Sequence, residues 1–426
     1  MNRDESPSST TADTQNLPWY AGVTGYQWFV LIVASLGWVF DVFEGQIFVA
    51  SMNEAMPQLV PEGTEAAQVD AYNKLTFGAF LVGGALGGVL FGVLSDRIGR
   101  RRTLSYTILM YSAFTCLSAL AESWWHMAAL RFLVAMGVGG EWAVASALVA
   151  EVMPARARAW SLSIFHASSV FGTYLAIAAG VFVVGNANLG WRWGFVLGAV
   201  PAVLILLIRW RLKEPESWQR ARADAAQRKT RSADNLVALF RGHLLRHTLV
   251  GVSLATVGLA TFWGVHVYGK DMLGEHRVEE LKQAPKYAGM SGTEIEFRAA
   301  DKKSIKNWEM LGMFLVTTGG GIGLVSFGPL SEMLGRRGAF LVFHLGGLAG
   351  GAGLFALDPS VSAVVLYCAL PVFGFFTLGM HAGYAVYFPE LFPTWLRGTG
   401  AGFCFNMARL AAAGIMVLVA RAQDSL

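Results

Sequence analysis

The chain has 426 residues, of which 54% are apolar and 15% are charged. A soluble domain carries about 25% charged residues, so this composition indicates a protein embedded in a lipid bilayer. Three cysteines are too few for a disulfide framework, and a net charge of +4 is too small to suggest a nucleic-acid partner.

Residues 1–26 form a polar tail that lacks the basic start, short apolar core and cleavage site of a signal peptide. We therefore expect a free tail. Beyond it, apolar runs of about 20 residues predict membrane-spanning segments. There are eleven: 27–52, 75–95, 103–121, 125–150, 159–184, 191–211, 247–268, 307–330, 338–357, 361–387 and 398–420. Two connections are long, a basic one at 212–246 and a loop of mixed charge at 269–306.

Arginines mark one side of the predicted bundle. They follow the second, fourth, sixth, eighth and tenth segments, whereas the short connections on the other side carry acids. Basic loops are retained in the cytoplasm. The pattern therefore predicts a multi-pass protein of the cell membrane with a cytoplasmic N-terminus.

Two motifs occur twice along the chain. Gly-Val-Leu-Ser-Asp-Arg-Ile-Gly-Arg-Arg at 92–101 returns as Gly-Pro-Leu-Ser-Glu-Met-Leu-Gly-Arg-Arg at 328–337, and the Glu-x-x-Pro-x-x-x-Arg pattern at 151–158 returns at 390–397. The offsets are 236 and 239 residues, so chance is a poor explanation. The repeat predicts a tail (1–26), a first half (27–211), a basic cytoplasmic linker (212–246) and a second half of five spans (247–426). Parallel halves of this kind occur in one type of alternating-access transporter.

The first motif has the G-x-L-x-D-R-x-G-R-R pattern of the major facilitator superfamily, and the chain resembles that family over nearly its whole length. Lys213–Trp218 is similar to the family's P-E-S signature. The stretch Phe40–Gly45 resembles the acidic segment of proton-coupled organic-acid symporters, including the aromatic-acid:proton branch. Gly137–Trp142, and Phe392–Arg409 with Asn406, resemble the sialate/metabolite:proton symporter branch.

This resemblance implies an all-α membrane protein with the major facilitator fold, built from two pseudo-symmetric six-helix halves. Family members have twelve helices, whereas eleven segments are found here. We therefore expect the twelfth helix to be missing from this chain.

Five ionisable residues lie inside predicted spans: Asp41, Glu44, Arg131, Glu141 and Arg409. Each costs about 2.5–3.5 kcal/mol at mid-membrane, which makes it a functional candidate. Burial raises the pKa of a carboxyl group, and a neighbouring guanidinium lowers it. An acid beside an Arg that can move therefore binds and releases a proton as the Arg moves. Asp41, Glu44 and Arg131 are the candidates for proton coupling. In proton-coupled sugar porters an acid of helix one pairs with an arginine of helix four, and Asp41 and Arg131 match those positions. A fixed ion pair, or an Arg131 that clamps substrate, is the alternative.

A lone arginine in a span suits a carboxylate substrate, because guanidinium groups bind carboxylates through two hydrogen bonds. Arg409 is that candidate, and Asn406 lies one turn before it. The alternative is a partner acid such as Glu44 or Glu141. Further candidates for substrate binding are Glu141, otherwise an anchor between helices, and His381 with Tyr384. Other intramembrane histidines, among them His166, His266 and His344, are more commonly hydrogen-bonded packing residues.

The charged loop motifs predict a cytoplasmic gate, because acids and bases recur together in both halves. The alternative is that these charges only set the orientation of the protein in the membrane, but that role requires the basic residues and not the acids. The predicted gate residues are Asp96, Arg97, Arg100, Arg101, Glu151, Glu332, Arg336, Arg337, Glu390 and Arg397. The glycine runs at 83–88 and 319–323 are predicted to be close-packing helix faces rather than phosphate loops.

The sequence thus predicts a secondary active transporter that couples a small organic anion to proton flow by alternating access. We expect a monomer in the bilayer, with a small carboxylate as its partner, no metal and no cofactor other than the proton. A carrier of sugar or another neutral solute and a proton-driven exporter are the alternatives. A receptor or scaffold would not need acids at mid-membrane, and no nucleophile motif or nucleotide loop suggests an enzyme.

Overall fold

The structure is a computed structural model that describes residues 18–184, 189–227, 234–284, 299–357 and 361–423. Within these ranges the chain forms helices and no strand. Most of the predicted tail, residues 1–17, lies outside the described residues.

The first half begins with a capping box, in which Gln27 N donates to Thr24 Oγ1 and Thr24 N donates to Gln27 Oε1. Eight helices follow. They are α1 (Gly25–Ala55), α2 (Ala66–Ile98), α3 (Arg100–Ser118), α4 (Trp124–Val152), α5 (Ala155–Ala167), α6 (Ser169–Ala179), α7 (Gly190–Val196) and α8 (Ala202–Arg211).

The predicted linker contains two short helices, and the second half contains five long ones. They are α9 (Glu216–Gln227), α10 (Asp234–Ala238), α11 (Gly242–Lys282), α12 (Ala299–Met333), α13 (Gly335–Phe355), α14 (Ala363–Leu391) and α15 (Arg397–Gln423).

Each of the eleven predicted segments falls on a helix or on two consecutive ones. By length and composition, seven of the described helical stretches are apolar enough to cross a membrane: Gly25–Val49, Ala71–Ile98, Trp124–Val152, Ala155–Val184, Gly242–Thr261, Leu311–Met333 and Ala363–Leu391. The other four predicted segments lie in α3, α7–α8, α13 and α15. Three of these helices, α3, α13 and α15, begin at or beside an arginine, which lowers their mean hydropathy.

The predicted loop at 269–306 is wrong at both ends. Helix α11 continues to Lys282, and α12 begins at Ala299. The extension of α11 is polar, and Arg277 and Lys282 pair with acids three residues away on the same helix, Glu280 and Glu279. A search for apolar runs does not detect a helix of this kind, because ion pairs at this spacing support it.

The predicted span at 159–184 is divided. Helix α5 ends at Ala167, and α6 begins at Ser169 after a break at Ser168. The Ser168 hydroxyl lies 2.7 Å from the Phe165 carbonyl and 3.1 Å from the Ser35 carbonyl of α1, and can donate to either. The break therefore fixes the end of α5 against α1.

The two halves pack most extensively through two helix pairs, α2 with α15 and α5 with α12. Small residues allow these close approaches. A methyl group at Gly92 of α2 would lie 2.7 Å from the carbonyl oxygen of Gly398 in α15. A methyl group at Gly328 of α12 would lie 2.9 Å from the carbonyl oxygen of Ala159 in α5. One apolar core cluster contains buried residues of both halves. The halves therefore share a continuous interface.

The predicted glycine faces are confirmed. A methyl group at Gly83 or Gly87 of α2 would collide with the backbone of α4, and one at Gly319 or Gly323 of α12 would collide with the backbone of α14. These glycines set the helix spacing within each half.

Candidate functional site

A cavity of about 170 Å³ lies between the halves. Residues of α1, α2 and α4–α6 form its wall on one side, and residues of α11, α12, α14 and α15 form the other. Its apolar wall includes Trp38, Phe80 and Phe405. Its polar lining residues include Asp41, Gln46, Thr173, Thr317, His381 and Arg409. A mostly apolar cavity with a few convergent polar groups is the usual form of a small-molecule site.

Asp41 and Arg409 bring opposite charges to this cavity from different halves. Asp41 of α1 is 1% exposed, and no described residue donates a hydrogen bond to its carboxylate oxygens. The charged groups that act on it are Glu141 of α4, Arg409 of α15 and Glu44 of its own helix. The Arg409 guanidinium also lies 4.8 Å from the centre of the Phe405 ring, and its Nη1 donates to Asn406 Oδ1 at 3.3 Å.

Glu44 and Arg131 are a second buried acid and base, both in the first half. Both are fully buried, and Glu44 is the acid that interacts electrostatically with Arg131. Arg131 Nη2 donates to Thr115 Oγ1 at 3.2 Å and to Ser118 Oγ at 2.7 Å. Neither Glu44 nor Arg131 is among the described residues that line the cavity. The sequence matched Arg131 with Asp41 by position, whereas in the structure Arg131 interacts electrostatically with Glu44, and Asp41 interacts with Glu141 and Arg409.

Three of the predicted substrate contacts lie in helix interfaces instead of the cavity wall. Glu141 of α4 is fully buried against Gly37 of α1. Asn406 Nδ2 donates to the Gly402 carbonyl at 2.9 Å, and Tyr384 Oη donates to the Leu254 carbonyl at 3.1 Å. Their polar atoms are directed at protein, and these residues are absent from the described cavity lining.

Two histidines from different halves meet at the cavity. His381 of α14 was predicted, and its Nε2 lies 3.2 Å from the Gly258 carbonyl. His166 of α5 also lines the cavity, with its ring centre 6.4 Å from that of His381. The sequence marked His166 as an intramembrane histidine but did not separate it from His344, whose Nδ1 bonds the Phe340 carbonyl in its own helix. The His266 side chain lies outside the described residues.

Arg100 is the centre of a buried charge cluster at the end of the bundle where α2 meets α3; we call this end the arginine-rich end. Arg100 Nη1 lies 2.7 Å from Asp96 Oδ1, and its Nη2 lies 2.8 Å from Glu151 Oε1. Its Nε donates to Glu151 Oε2 at 3.3 Å, so the pair with Glu151 is bidentate. The three side chains are fully buried.

This cluster bridges the two halves. Asp96 of α2 accepts hydrogen bonds at the start of α15, from Thr399 N at 2.8 Å and Thr399 Oγ1 at 2.6 Å. Arg100 Nη2 donates to the Thr394 carbonyl at 3.1 Å, and Arg397 pairs with Glu151 at 3.4 Å. A carboxylate at a helix N-terminus satisfies free backbone N–H groups and the helix dipole.

The linker also holds the arginine-rich end. Glu214 Oε2 accepts from the backbone N–H groups of Arg100 and Arg101, at 2.7 Å and 3.2 Å. Gly99 between α2 and α3 has φ of +107°, a conformation that favours glycine. Trp218 Nε1 donates to the Asp96 carbonyl at 3.2 Å. The sequence singled out the P-E-S stretch by resemblance, but gave neither Glu214 nor Trp218 a role.

The second copy of the motif makes a looser cluster. Arg336 pairs with Glu390 at 2.7 Å, and these side chains are 28% and 29% exposed. Trp160 of α5 donates to Glu332 Oε2 of α12 at 3.1 Å, which again bridges the halves. The side chains of Arg97 and Arg337, both predicted gate residues, are exposed.

The fold and site therefore define a class: a helical membrane protein whose two halves enclose a small cavity and are bridged by charges at one end. A family model described as the Major Facilitator Superfamily matches residues 28–416, and the chain belongs to that superfamily. The predicted family and fold are thereby confirmed.

The comparisons with individual proteins agree. The chain is 30% identical over 400 residues to a putative metabolite transport protein of Haemophilus influenzae, covering 91% of this chain and 87% of that protein. It is 24% identical over 395 residues to a sialic acid transporter of Escherichia coli K12, with 91% and 85% coverage. A solved structure of a proton:xylose symporter bound to 6-bromo-6-deoxy-D-glucose has a TM-score of 0.72 and 19% identity, covering 91% of this chain and 86% of that one. The chain is thus a multi-pass membrane transporter of small molecules and not an enzyme.

Proposed function

We propose that the protein is a proton-coupled symporter of a small organic anion that works by alternating access. The observation that carries this proposal is that buried Asp41 and Arg409, one charge from each half, both line the cavity and interact electrostatically. The relatives named for metabolites and sialic acid support the class of substrate.

The pair suggests how proton and anion are coupled. While Asp41 is ionised, its charge competes with an incoming carboxylate for Arg409. A proton on Asp41 removes that competition, and Arg409 then offers paired N–H donors to the substrate carboxylate. Proton and anion therefore occupy the cavity together, and with Asp41 neutralised no uncompensated charge crosses the membrane interior.

The arginine-rich end supplies the gate in this proposal. Because basic loops stay in the cytoplasm, we assign this end and the N-terminus to the cytoplasmic side of the cell membrane. The Asp96, Arg100 and Glu151 cluster holds that side closed, and its contacts with α15 must break for the cavity to open inward. Both halves that enclose the cavity come from one chain, so we assign transport to the monomer.

A neutral-solute carrier is the second candidate. Gln46, Thr173 and Thr317 in the cavity wall are suited to hydroxyl groups, and Arg409 would then serve only as the partner of Asp41. A proton-driven exporter would use the same residues in the opposite direction.

The test begins with a panel of benzoate, nicotinate, sialic acid, muconate and xylose, screened on the purified protein by thermal shift, because a ligand of the folded state raises its stability. The solute that binds is then followed into proteoliposomes. We expect Asp41→Asn to abolish uptake driven by a pH gradient and to retain exchange of labelled for unlabelled solute. Unchanged gradient-driven uptake in Asp41→Asn would contradict the proposal. Asp224→Asn, on an exposed part of α9, is the matched control.

Arg409→Gln separates the two candidates. For an anion carrier, we expect loss of both uptake and exchange of the carboxylate. Arg220→Gln, whose side chain is 79% exposed in a surface pair with Glu216, is the control. Full anion exchange in Arg409→Gln would favour the neutral-solute carrier.

A further inference from the structure

His166 is held in the cavity wall in one orientation. It lies near the end of α5, and the Trp38 Nε1 of α1 donates to its carbonyl at 3.2 Å. Its side chain packs beside Trp38, with ring centres 5.4 Å apart, and the residue is 4% exposed.

Trp142 determines which ring nitrogen of His166 carries the proton. Trp142 Nε1 lies 3.1 Å from His166 Nδ1. An indole N–H is a donor and never an acceptor, so Nδ1 must accept. The neutral imidazole therefore carries its proton on Nε2.

Trp142 is itself fixed by the second half. It is fully buried, stacks on Phe405 of α15 at 4.0 Å between ring centres, and meets Phe388 of α14 edge-on. Its N–H direction is therefore set by packing and not by solvent.

The Nε2–H of His166 has no hydrogen-bond acceptor among the described residues, although the ring lines the cavity. Of the two groups that act on its charge, Arg409 is a donor, and His381 Nε2 lies 3.2 Å from the Gly258 carbonyl. Because the ring lines the cavity, an occupant that excludes water would leave this donor unpaired, at a cost in free energy, unless the occupant itself supplies an acceptor.

We propose that His166 is a specificity-determining residue whose Nε2–H binds a second acceptor atom of the substrate, apart from the carboxylate at Arg409, and that Trp142 is the positioning residue that holds it in this tautomer. The inference rests on the proposed function. It narrows the substrate class to small acids that carry a further acceptor, such as a ring nitrogen, a carbonyl or a second carboxylate.

Nicotinate and benzoate are the probes, because they have the same shape and differ in one acceptor atom. Binding of each to the full-length protein is measured by calorimetry. We expect nicotinate to bind about three- to tenfold more tightly than benzoate, the effect of one hydrogen bond. Equal affinities, or binding of neither acid, would overturn the inference.

Variants of His166 test the donor. Gln places an amide N–H near the position of Nε2, so His166→Gln should keep the preference for nicotinate, whereas His166→Phe should abolish it. The ratio of the two affinities is a readout that general damage to the fold would not shift in this way. A nicotinate preference that survives in His166→Phe would show that another group supplies the donor.

Trp142→Phe tests the positioning role. It keeps an aromatic ring against Phe405 but removes the N–H, which frees the ring to adopt the other tautomer. The nicotinate preference should fall severalfold. Trp191→Phe removes another buried indole donor, to Gln58 at 3.0 Å, and should leave the ratio unchanged.

The proposed function and this inference fail differently. Asp41-dependent uptake of benzoate without any preference for nicotinate would leave proton-coupled anion transport standing and remove the role of His166. Uptake that persists unchanged in Asp41→Asn would remove the coupling proposal, whatever the affinity ratio.

Discussion

Asp41 and Glu44 lie three residues apart in α1 and face different arginines. Glu44 interacts with Arg131 inside the first half, and Asp41 interacts with Arg409 across the halves. We expect the double-mutant cycle Glu44→Gln with Arg131→Gln to show a coupling of about 1–3 kcal/mol in thermal unfolding, because each single variant leaves a buried charge without its partner.

The cycle of Asp41→Asn with Arg131→Gln is the matched comparison. It should show a smaller coupling than the Glu44 cycle, because among the described residues Asp41 and Arg131 are linked only through Glu44. Strong coupling in this cycle, and none in the Glu44 cycle, would restore the pairing that the sequence suggested.

At this scale the sequence located the charged residues but not their partners. A charge inside an apolar span stands out because it is costly. Successive helix residues are rotated by about 100°, so Asp41 and Glu44 occupy neighbouring faces of one helix. Which face meets α4 and which meets α15 depends on the rotation of α1, and that is set by packing such as Gly37 against Glu141.

Helices α2 and α15 form a seam between the halves that depends on glycine. A methyl group at Gly92 would lie 2.7 Å from the Gly398 carbonyl oxygen and 3.2 Å from its carbon, and this backbone cannot yield without a helix shift. We expect Gly92→Ala to lower the unfolding free energy by about 1–3 kcal/mol, as overpacking does. Thermal unfolding in detergent measures this effect.

Gly78→Ala on the same helix is the control. A methyl group there meets nothing within 4 Å. Ala favours the helix over Gly by about 1 kcal/mol, so this variant should be neutral or more stable. Equal losses at both positions would mean that the loss at Gly92 does not come from its contact with α15.

Elements with apolar runs were predictable, and those without them were not. The periodic search found the spans and the glycine faces, but it missed the charged extension of α11 and the break at Ser168. Ion pairs stabilise the first and side-chain hydrogen bonds define the second, so neither leaves a hydropathy signal.

The two copies of the charged motif share a Gly-x-Leu-Ser-acid-x-x-Gly-Arg-Arg pattern but are unequal in the folded molecule. Arg100 is fully buried between Asp96 and Glu151, whereas Arg336 and Glu390 are 28% and 29% exposed. The sequence could not predict this difference. In the part of the chain that the structure describes, the linker, through Glu214 and Trp218, and the start of α15 cover the first copy.

Matched substitutions of the two arginines should therefore have unequal effects on opening. Arg100→Gln leaves Asp96 and Glu151 buried without a cation, which is strongly unfavourable until the end opens to water. Arg336→Gln removes a pair that solvent already screens, worth about 0.2–1 kcal/mol. We expect the first variant to raise the population open at the arginine-rich end at least tenfold, equivalent to about 1.4 kcal/mol, and the second to raise it less than fivefold.

Spin labels at Trp210 and Met333, which are 79% and 78% exposed on different halves, report this opening as a change in their distance distribution. Arg220→Gln, in a surface pair, is the control and should leave the distribution unchanged. Equal shifts in Arg100→Gln and Arg336→Gln would show that the two copies carry the gate symmetrically despite their unequal burial. A shift confined to Arg100→Gln would mean that the buried first copy supplies most of the free energy that holds this end closed. In that variant, opening rehydrates Asp96 and Glu151, two buried carboxylates that have lost their counter-charge.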